Sequence, residues 1–187
     1  MLPAWDNIRK LGALKTDMIC LSGGKHMRGP QCSGILAGRR DLVRAARLNA
    51  SPHPDSTGRP LKVGREEIVG VWLAAEKYAR LDFEAIDRQY AGQADYLMGE
   101  FRKIPGLRVS HAPHDRTRRV HRVMVEWDEH ALKISPGECE KQLMEGDPRI
   151  AVLRHRGAVV FTLFMNDPGE EKIVARRMRE IFSSRRG

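Results

Sequence analysis

Long apolar runs, paired cysteines and aromatic residues are all scarce in this chain of 187 residues. No stretch approaches the roughly 20 consecutive apolar residues that a transmembrane helix needs. The first residues also lack the apolar core of a signal peptide. The cysteines number three, without metal-binding spacing, which favours reduced thiols in a cytosol. These absences predict a cytoplasmic protein without a membrane anchor or a disulfide framework.

Acidic residues are too few to balance the basic ones: 24 Asp and Glu against 33 Lys and Arg give a net charge of +9. Such a balance is compatible with a nucleic-acid partner. The arginines, however, cluster on three separate segments, and few aromatic residues lie among them to stack on bases. We therefore interpret the basic clusters as solvated helix faces and expect no nucleic-acid partner.

One lysine stands in a sequence context that favours chemistry over solvation. Residues 22–31 read SGGKHMRGPQ and follow the apolar run 18–21, which puts Lys25 on a glycine-rich loop after a predicted strand. A lysine amine is a useful nucleophile when its ammonium form is disfavoured, and Schiff-base formation with pyridoxal phosphate is one use of it. The glycines leave room for a flat cofactor, and the Ser22 hydroxyl suits a phosphate oxygen.

The pattern SGGK-x-x-RGPQ resembles the lysine segment of fold-type-I pyridoxal-phosphate enzymes, in the branch of selenocysteine synthase (L-seryl-tRNA selenium transferase) and D-glucosaminate-6-phosphate ammonia lyase. Residues 58–70, GRPLKVGREEIVG, are similar to the family's next block, a loop that runs into a long helix. The resemblance implies pyridoxal 5'-phosphate as the cofactor and Lys25 as the catalytic residue that binds it.

The resemblance also implies an α/β fold, of which this chain is the C-terminal part. Enzymes of the family are longer and carry their lysine in the second half, whereas only 24 residues precede Lys25 here. We expect the end of the large domain with the Schiff-base lysine at 1–62, linking helices at 63–104 and a small α+β domain at 105–187. The family's phosphate turn and the Asp that pairs with the pyridine nitrogen are expected to be missing.

Four further residues are predicted to line the site. Gly64 leaves the backbone free to offer N–H groups to an anion at a helix N-terminus, and Arg65 follows it. In class V aminotransferase relatives a similar loop reaches the phosphate of the neighbouring subunit. The resemblance thus implies cofactor-binding roles for both residues in a homo-oligomer with a shared active site. Arg28 is predicted to bind a substrate carboxylate or phosphate, which a guanidinium contacts bidentately. Arg149 resembles the family's small-domain arginine, which implies binding of a substrate carboxylate.

These residues also have ordinary structural interpretations. Arg28 fits a surface arginine on a loop, and Arg149 fits a charged residue at the start of a strand. The segment around Gly64 fits a basic helix start. One cluster of possible metal ligands stands among arginines, whose positive charge opposes a cation, so we expect no metal site. That cluster comprises His111, His114, Asp115 and His121.

Periodicity and turn residues predict the secondary structure. Strands are predicted at 17–22, 32–38, 107–110, 120–127, 150–153 and 158–165. Helices are predicted at 4–12, 40–48, 66–80 and 83–101, and after the capping residues Ser135 and Asp167. The strand at 17–22 is expected to be buried. The helix at 66–80 is expected to bury its large apolar side chains, which are Ile68, Val69, Trp72 and Leu73, with Leu81 beyond its end.

The resemblance implies a pyridoxal-phosphate-dependent lyase or transferase that acts on an amino acid or amino sugar acid by α,β-elimination or ammonia release. Lys25 would hold the cofactor and move the α-proton. The chain alone is expected to turn over little substrate. The alternative is a non-catalytic remnant, an oligomerising α/β fragment without a cofactor pocket. Selenium transfer on tRNA fits less well, because Gly24 and Arg28 resemble the ammonia-lyase branch.

Overall fold

The computed structural model describes residues 10–112 and 120–183 and divides the chain into two compact units, Met1–Phe83 and Glu84–Gly187. The predicted domains 1–62, 63–104 and 105–187 stay predictions. Of the helix predicted at 4–12, residues 4–9 lie outside the described residues, and residues 10–13 are helical. No helix among the described residues is long and apolar enough to cross a membrane.

Besides the helical residues 10–13, the described part of the first unit has four elements: β1 (Met18–Ser22), β2 (Gly34–Gly38), α1 (Arg40–Leu48) and α2 (Arg65–Ala79). β1 and β2 are antiparallel, with Met18 opposite Gly38 and Ser22 opposite Gly34. The prediction of a buried strand at 17–22 is wrong, because Leu21 is the one buried residue of β1. Among the described residues this two-stranded sheet has no further strand beside it.

Helix α2 buries the face opposite to the one that its large side chains predict. Its buried residues are Val71, Ala74 and Tyr78. Ile68, Val69, Trp72, Leu73 and the later Leu81 are all exposed, so their predicted burial is wrong. The physical reason is the close approach of the loop 23–33, which packs where α2 carries small side chains. At Gly70 an added Cβ would lie 2.5 Å from Cγ of Pro30.

The second unit is an α+β module. Its helices are α3 (Phe83–Arg102), α4 (Glu129–Leu132), α5 (Pro136–Met144) and α6 (Glu170–Ser183). Its strands are β3 (Arg108–His111), β4 (Arg122–Glu126), β5 (Leu153–His155) and β6 (Ala158–Thr162). They form one antiparallel sheet in the order β3-β4-β6-β5. Leu97 and Phe101 of α3, Val123 and Val125 of β4, and Met178 of α6 are buried in one core.

Local signals in the second unit mostly give the predicted structure. The hydroxyl of Ser135 accepts a hydrogen bond from the Glu138 N–H at 3.1 Å, which caps α5 as predicted. Arg156 and Gly157 both have positive φ, 47° and 82°, which suits the tight hairpin turn between β5 and β6. The strand predicted at 150–153 begins only at Leu153.

A buried carboxylate joins the start of α6 to α3. Glu171 is 8% exposed, and its Oε2 accepts hydrogen bonds from Nε2 of Gln93 at 3.1 Å and from the N–H of Gly169 at 2.8 Å. Burial by itself raises the pKa of Glu171, but the hydrogen bonds from its own backbone, Gly169 and Gln93 outweigh burial and hold this pKa below its ordinary value. The charged form therefore contributes to the stability of the fold.

We expect Glu171→Gln to lower the free energy of unfolding at neutral pH by about 1–2 kcal/mol, because buried donors lose their charged acceptor. A folded-state pKa below the ordinary value means that this contribution exists above the ordinary pKa and is lost as the pH falls through the folded one. The difference between the two proteins should therefore shrink on acidification, as measured by denaturant unfolding.

The matched control is Glu145→Gln, whose carboxylate is exposed and lies 4.0 Å from Nζ of Lys141. This exposed pair should contribute little. Equal destabilisation by the two substitutions, or a difference independent of pH, would contradict the role assigned to Glu171.

Candidate functional site

The loop at 23–33 is closed by its own backbone. The N–H of Gly23 donates to the carbonyl of Ser33, and the N–H of Gly29 donates to the carbonyl of Gly23, each at 2.9 Å. Inside this ring the N–H of Arg28 donates to the carbonyl of Lys25, also at 2.9 Å. Lys25 therefore opens a tight turn whose backbone position is fixed by hydrogen bonds.

The two glycines before Lys25 are required by the packing of the loop itself. A Cβ at Gly24 would lie 2.5, 2.7 and 2.9 Å from three backbone atoms of Gln31. A Cβ at Gly23 would overlap Oγ of Ser33 and lie 2.6 Å from Cγ2 of Val71. The glycines therefore leave room for the chain itself, and the room for a flat cofactor that the sequence suggests stays a prediction.

The loop is anchored through apolar residues and exposes polar ones. Met27 is buried in a small core with Leu21, Ala74 and Tyr78. Ser22, Lys25 and Arg28 are exposed. One short segment thus offers a hydroxyl, an amine and a guanidinium to solvent.

His26 is a residue of this loop that the sequence did not single out. Its ring lies edge-on to Tyr78, with the centroids 5.4 Å apart, and 6.4 Å from the ring of Phe83. Burial, together with the charge of Arg28, lowers the pKa of His26 below its ordinary value. The neutral ring therefore belongs to the packing of the loop. Tyr78 and Phe83, whose rings lie near His26, are far from it in the sequence, so no local sequence pattern indicates this contact.

The predicted anion site at the start of α2 is partly occupied by the helix itself. The N–H of Gly64 donates to Oε2 of Glu67 at 2.8 Å. Gly64 has φ −65°, which any residue adopts, so this position does not need glycine for its backbone. Arg65 is exposed on the first turn. Gly64 lies six residues before Gly70, which contacts the lysine loop. Six residues span about 9 Å along a helix.

The remaining predicted residues lie in the second unit. Arg149 is exposed and follows the Asp147–Pro148 bond. Of the four possible metal ligands in the sequence, His114 and Asp115 lie outside the described residues. Nε2 of His121 is 2.9 Å from Oδ1 of Asp87. Among the residues that are described, no three His, Cys, Asp or Glu side chains are grouped to hold a metal ion.

Comparison with known proteins relates the chain to two enzymes. No protein-family model matches it. It is 30% identical over 177 residues to 5'-C-glycyluridine monooxygenase-decarboxylase of a Streptomyces species, covering 93% of this chain and 43% of the relative. It is 26% identical over 183 residues to D-glucosaminate-6-phosphate ammonia lyase of Salmonella typhimurium, covering 95% and 47%. The chain therefore spans about half the length of these curated relatives.

Solved structures show the same coverage. A structure of D-glucosaminate-6-phosphate ammonia-lyase aligns with 99% of this chain and 48% of its own, at a TM-score of 0.77 and 24% identity. A complex of SepCysS with the N-terminal domain of SepCysE aligns with 92% and 47%, at a TM-score of 0.54 and 15% identity. These likenesses concern the fold.

The resemblance to pyridoxal-phosphate-dependent enzymes of fold type I is thereby confirmed, together with the α/β fold class. The matched span is consistent with a C-terminal portion of such enzymes.

We expect Gly24→Ala to destabilise the first unit by about 2 kcal/mol or more, because the new methyl group meets the backbone of Gln31 and that backbone cannot rotate away. Gly92→Ala is the matched control. A Cβ at Gly92 has nothing within 4 Å, and Gly92 lies inside α3, so alanine should stabilise that helix by roughly 0.5–1 kcal/mol. Thermal unfolding of both variants checks the opposite signs. A neutral Gly24→Ala would contradict the close packing.

Acidification should loosen the loop through His26. A lowered folded-state pKa means that the fold disfavours the charged ring, so the stability it contributes is lost as the pH falls from neutral through the ordinary range of histidine. Amide hydrogen exchange in residues 23–33, corrected for intrinsic rates, should accelerate on acidification. His26→Phe keeps an aromatic ring and should flatten this dependence, whereas His155→Phe, at an exposed site, should leave it unchanged.

Proposed function

We propose that this chain carries the lysine-bearing part of the active site of a pyridoxal-phosphate-dependent lyase or transferase, which acts on an amino acid or amino sugar acid. The observation that carries the proposal is the exposed side chain of Lys25 on a hydrogen-bonded, glycine-packed turn, beside Ser22 and Arg28. The similarity to D-glucosaminate-6-phosphate ammonia lyase supports an amino sugar acid as one substrate class.

The chemistry of these side chains fits the aldehyde and the phosphate of the cofactor. A primary amine is the group that bonds to its aldehyde, and a hydroxyl and a guanidinium are donors for its phosphate or for an acidic substrate. Lys25 takes no part in the buried packing of the loop, since Met27 and the glycines supply it. Hydrogen bonds fix the backbone at Lys25, and the side chain that carries the amine stays out of the packing.

Pyridoxal phosphate, when bound, supplies the electron sink that makes the α-hydrogen of an amino compound acidic. Nζ of Lys25 would hold the cofactor and would accept the α-proton of the substrate. Ser22 would donate a hydrogen bond to the cofactor phosphate. Arg28 would bind the carboxylate or phosphate of the substrate. The same role for Arg149 stays a prediction.

A second subunit is part of this proposal. The described residues leave Lys25 exposed to water, whereas a nucleophilic amine needs surroundings that disfavour its charged form. We assign that cover to another polypeptide in a homo-oligomer with a shared active site. Gly64 and Arg65 would lie near the phosphate of the neighbouring subunit.

The second candidate is a non-catalytic, oligomerising α/β fragment. One observation favours it: the side chain of Lys25 is exposed among the described residues. Such a fragment keeps the fold and the association surface but does not orient the cofactor. Selenium transfer on tRNA has less support than either candidate.

Reduction with borohydride distinguishes the two candidates. Protein mixed with pyridoxal phosphate should develop a visible absorption band, and reduction should leave a covalent adduct on the peptide that contains Lys25. Mass spectrometry should find this adduct absent from Lys25→Ala and retained in Lys77→Ala, a matched exposed lysine on α2. Adducts spread over several surface lysines, and unaffected by Lys25→Ala, would overturn the assignment and favour the non-catalytic fragment.

A further inference from the structure

Ser33, at the end of the loop 23–33, carries a buried hydroxyl that the proposed chemistry does not use. The residue is 8% exposed. Its Oγ donates a hydrogen bond to the carbonyl of Pro30 at 2.6 Å, and its N–H donates to the same carbonyl at 3.2 Å. A buried hydroxyl without an acceptor is costly, so these bonds hold the side chain of Ser33 in one orientation.

Ser33 also joins the end of the loop to its beginning. Its carbonyl accepts a hydrogen bond from the N–H of Gly23 at 2.9 Å. A Cβ at Gly23 would overlap Oγ of Ser33, so the hydroxyl lies directly against the Gly23 backbone. Gly23 stands between Ser22 and Lys25 in the sequence. The contact with Ser33 therefore constrains the backbone that separates the Ser22 hydroxyl from the Lys25 amine.

Pro30, the acceptor for Ser33, is in turn held by helix α2. A Cβ at Gly70 would lie 2.5 Å from Cγ and 3.0 Å from Cδ of Pro30. A proline ring is bonded to its own backbone, so a contact that restrains the ring also restrains that backbone. A continuous path of contacts thus runs from α2 through Pro30 and Ser33 to Gly23. Within this path, the Ser33 hydroxyl is the link that removal of a single oxygen atom breaks.

We propose that Ser33 is a positioning residue for Lys25, which fixes the separation between the Lys25 amine and the Ser22 hydroxyl. The inference rests on the proposed function, which assigns these two groups to the aldehyde and the phosphate of one cofactor molecule. A rigid aromatic ring separates that aldehyde from that phosphate. The amine therefore reaches the aldehyde only when its distance from the phosphate-binding hydroxyl is correct, and a misplacement of about 1 Å can slow a reaction by about a hundredfold.

Ser33→Ala tests this role in the full chain. The adduct on Lys25 is trapped with borohydride at successive times and measured by mass spectrometry. At saturating pyridoxal phosphate the first-order rate constant of its formation should fall by about tenfold or more. The concentration that gives half of the maximal rate should stay unchanged, because Ser22 and Arg28 still donate to the phosphate. An unchanged rate constant in the folded variant would mean that the hydroxyl only stabilises the loop, and would overturn the proposal.

Pyridoxal, which lacks the phosphate, separates the position of the amine from its intrinsic reactivity. Without a phosphate this aldehyde is not held relative to Ser22, so Lys25 should react with it at the same rate in the wild type and in Ser33→Ala. An equal fall with both aldehydes would assign the effect to the amine itself and would contradict a positioning role.

Ser56→Ala is the matched control. Oγ of Ser56 donates to the carbonyl of His53 at 2.8 Å, also three residues earlier in the chain, but in a separate loop. This variant loses the same kind of hydrogen bond and should keep the wild-type rate constant with pyridoxal phosphate. A decrease as large as that of Ser33→Ala would overturn the assignment to Ser33.

Amide hydrogen exchange without cofactor distinguishes failure of this inference from failure of the proposed function. Ser33→Ala should accelerate exchange by about tenfold at Gly23, Arg28 and Gly29, whose N–H groups donate within the loop, and should leave α2 unchanged. No acceleration in the loop, or equal acceleration in α2, would overturn the inference. A wild-type chain that forms no adduct on Lys25 would overturn the proposed function, and the exchange measurement would then decide alone whether Ser33 fixes the loop.

Discussion

Pro30 packs against the backbone of α2 at Gly70, where a side chain would leave no space for its ring. The same economy of volume recurs where Gly23 meets Val71 and where Gly29 meets Ala74, whose Cβ would be 3.1 Å from an added methyl group. Because the loop packs against α2 with no room for added side chains, this packing restricts where the turn that carries Lys25 can lie. Dispersion contacts at this distance are individually small and collectively large, and they are lost quickly as a gap opens.

The second unit achieves order by other means. Its sheet buries Val123 and Val125 on one side, and α3 and α6 cover them with apolar side chains. Two buried polar groups of this unit are paired: Nε1 of Trp127 donates to the carbonyl of Ile134 at 2.7 Å, and Oε2 of Glu171 accepts from the N–H of Gly169 at the start of α6. Paired polar groups cost little to bury, and they fix the helix ends relative to the sheet.

Sequence patterns predicted the bounds of helices and strands better than they predicted which faces of those elements are buried. The helix at 40–48 was predicted with the bounds that the structure shows, and Ser135 caps α5 as expected. The buried face of α2 was predicted wrongly, because periodicity favours the stripe with larger side chains, whereas close approach selects the stripe with smaller ones. Lys25 and its neighbours were recognisable because their motif is contiguous. His26 was not, since its contacts with Tyr78 and Phe83 join distant residues. The roles of Gly64, Arg65 and Arg149 depend on groups that no local pattern describes, and they stay predictions.

Arg28 adopts a left-handed backbone conformation, with φ 55°, in the turn that begins at Lys25. An arginine in this region is strained by about 1 kcal/mol or more, whereas glycine adopts it freely. At this position the demand for stability and the demand for an anion-binding side chain favour different residues. A thermostability screen would select glycine there, and a screen for recognition of acidic ligands would retain the guanidinium. If Arg28 binds an acidic ligand as proposed, stability and activity trade off at this residue, because a stabilising glycine there would remove the guanidinium.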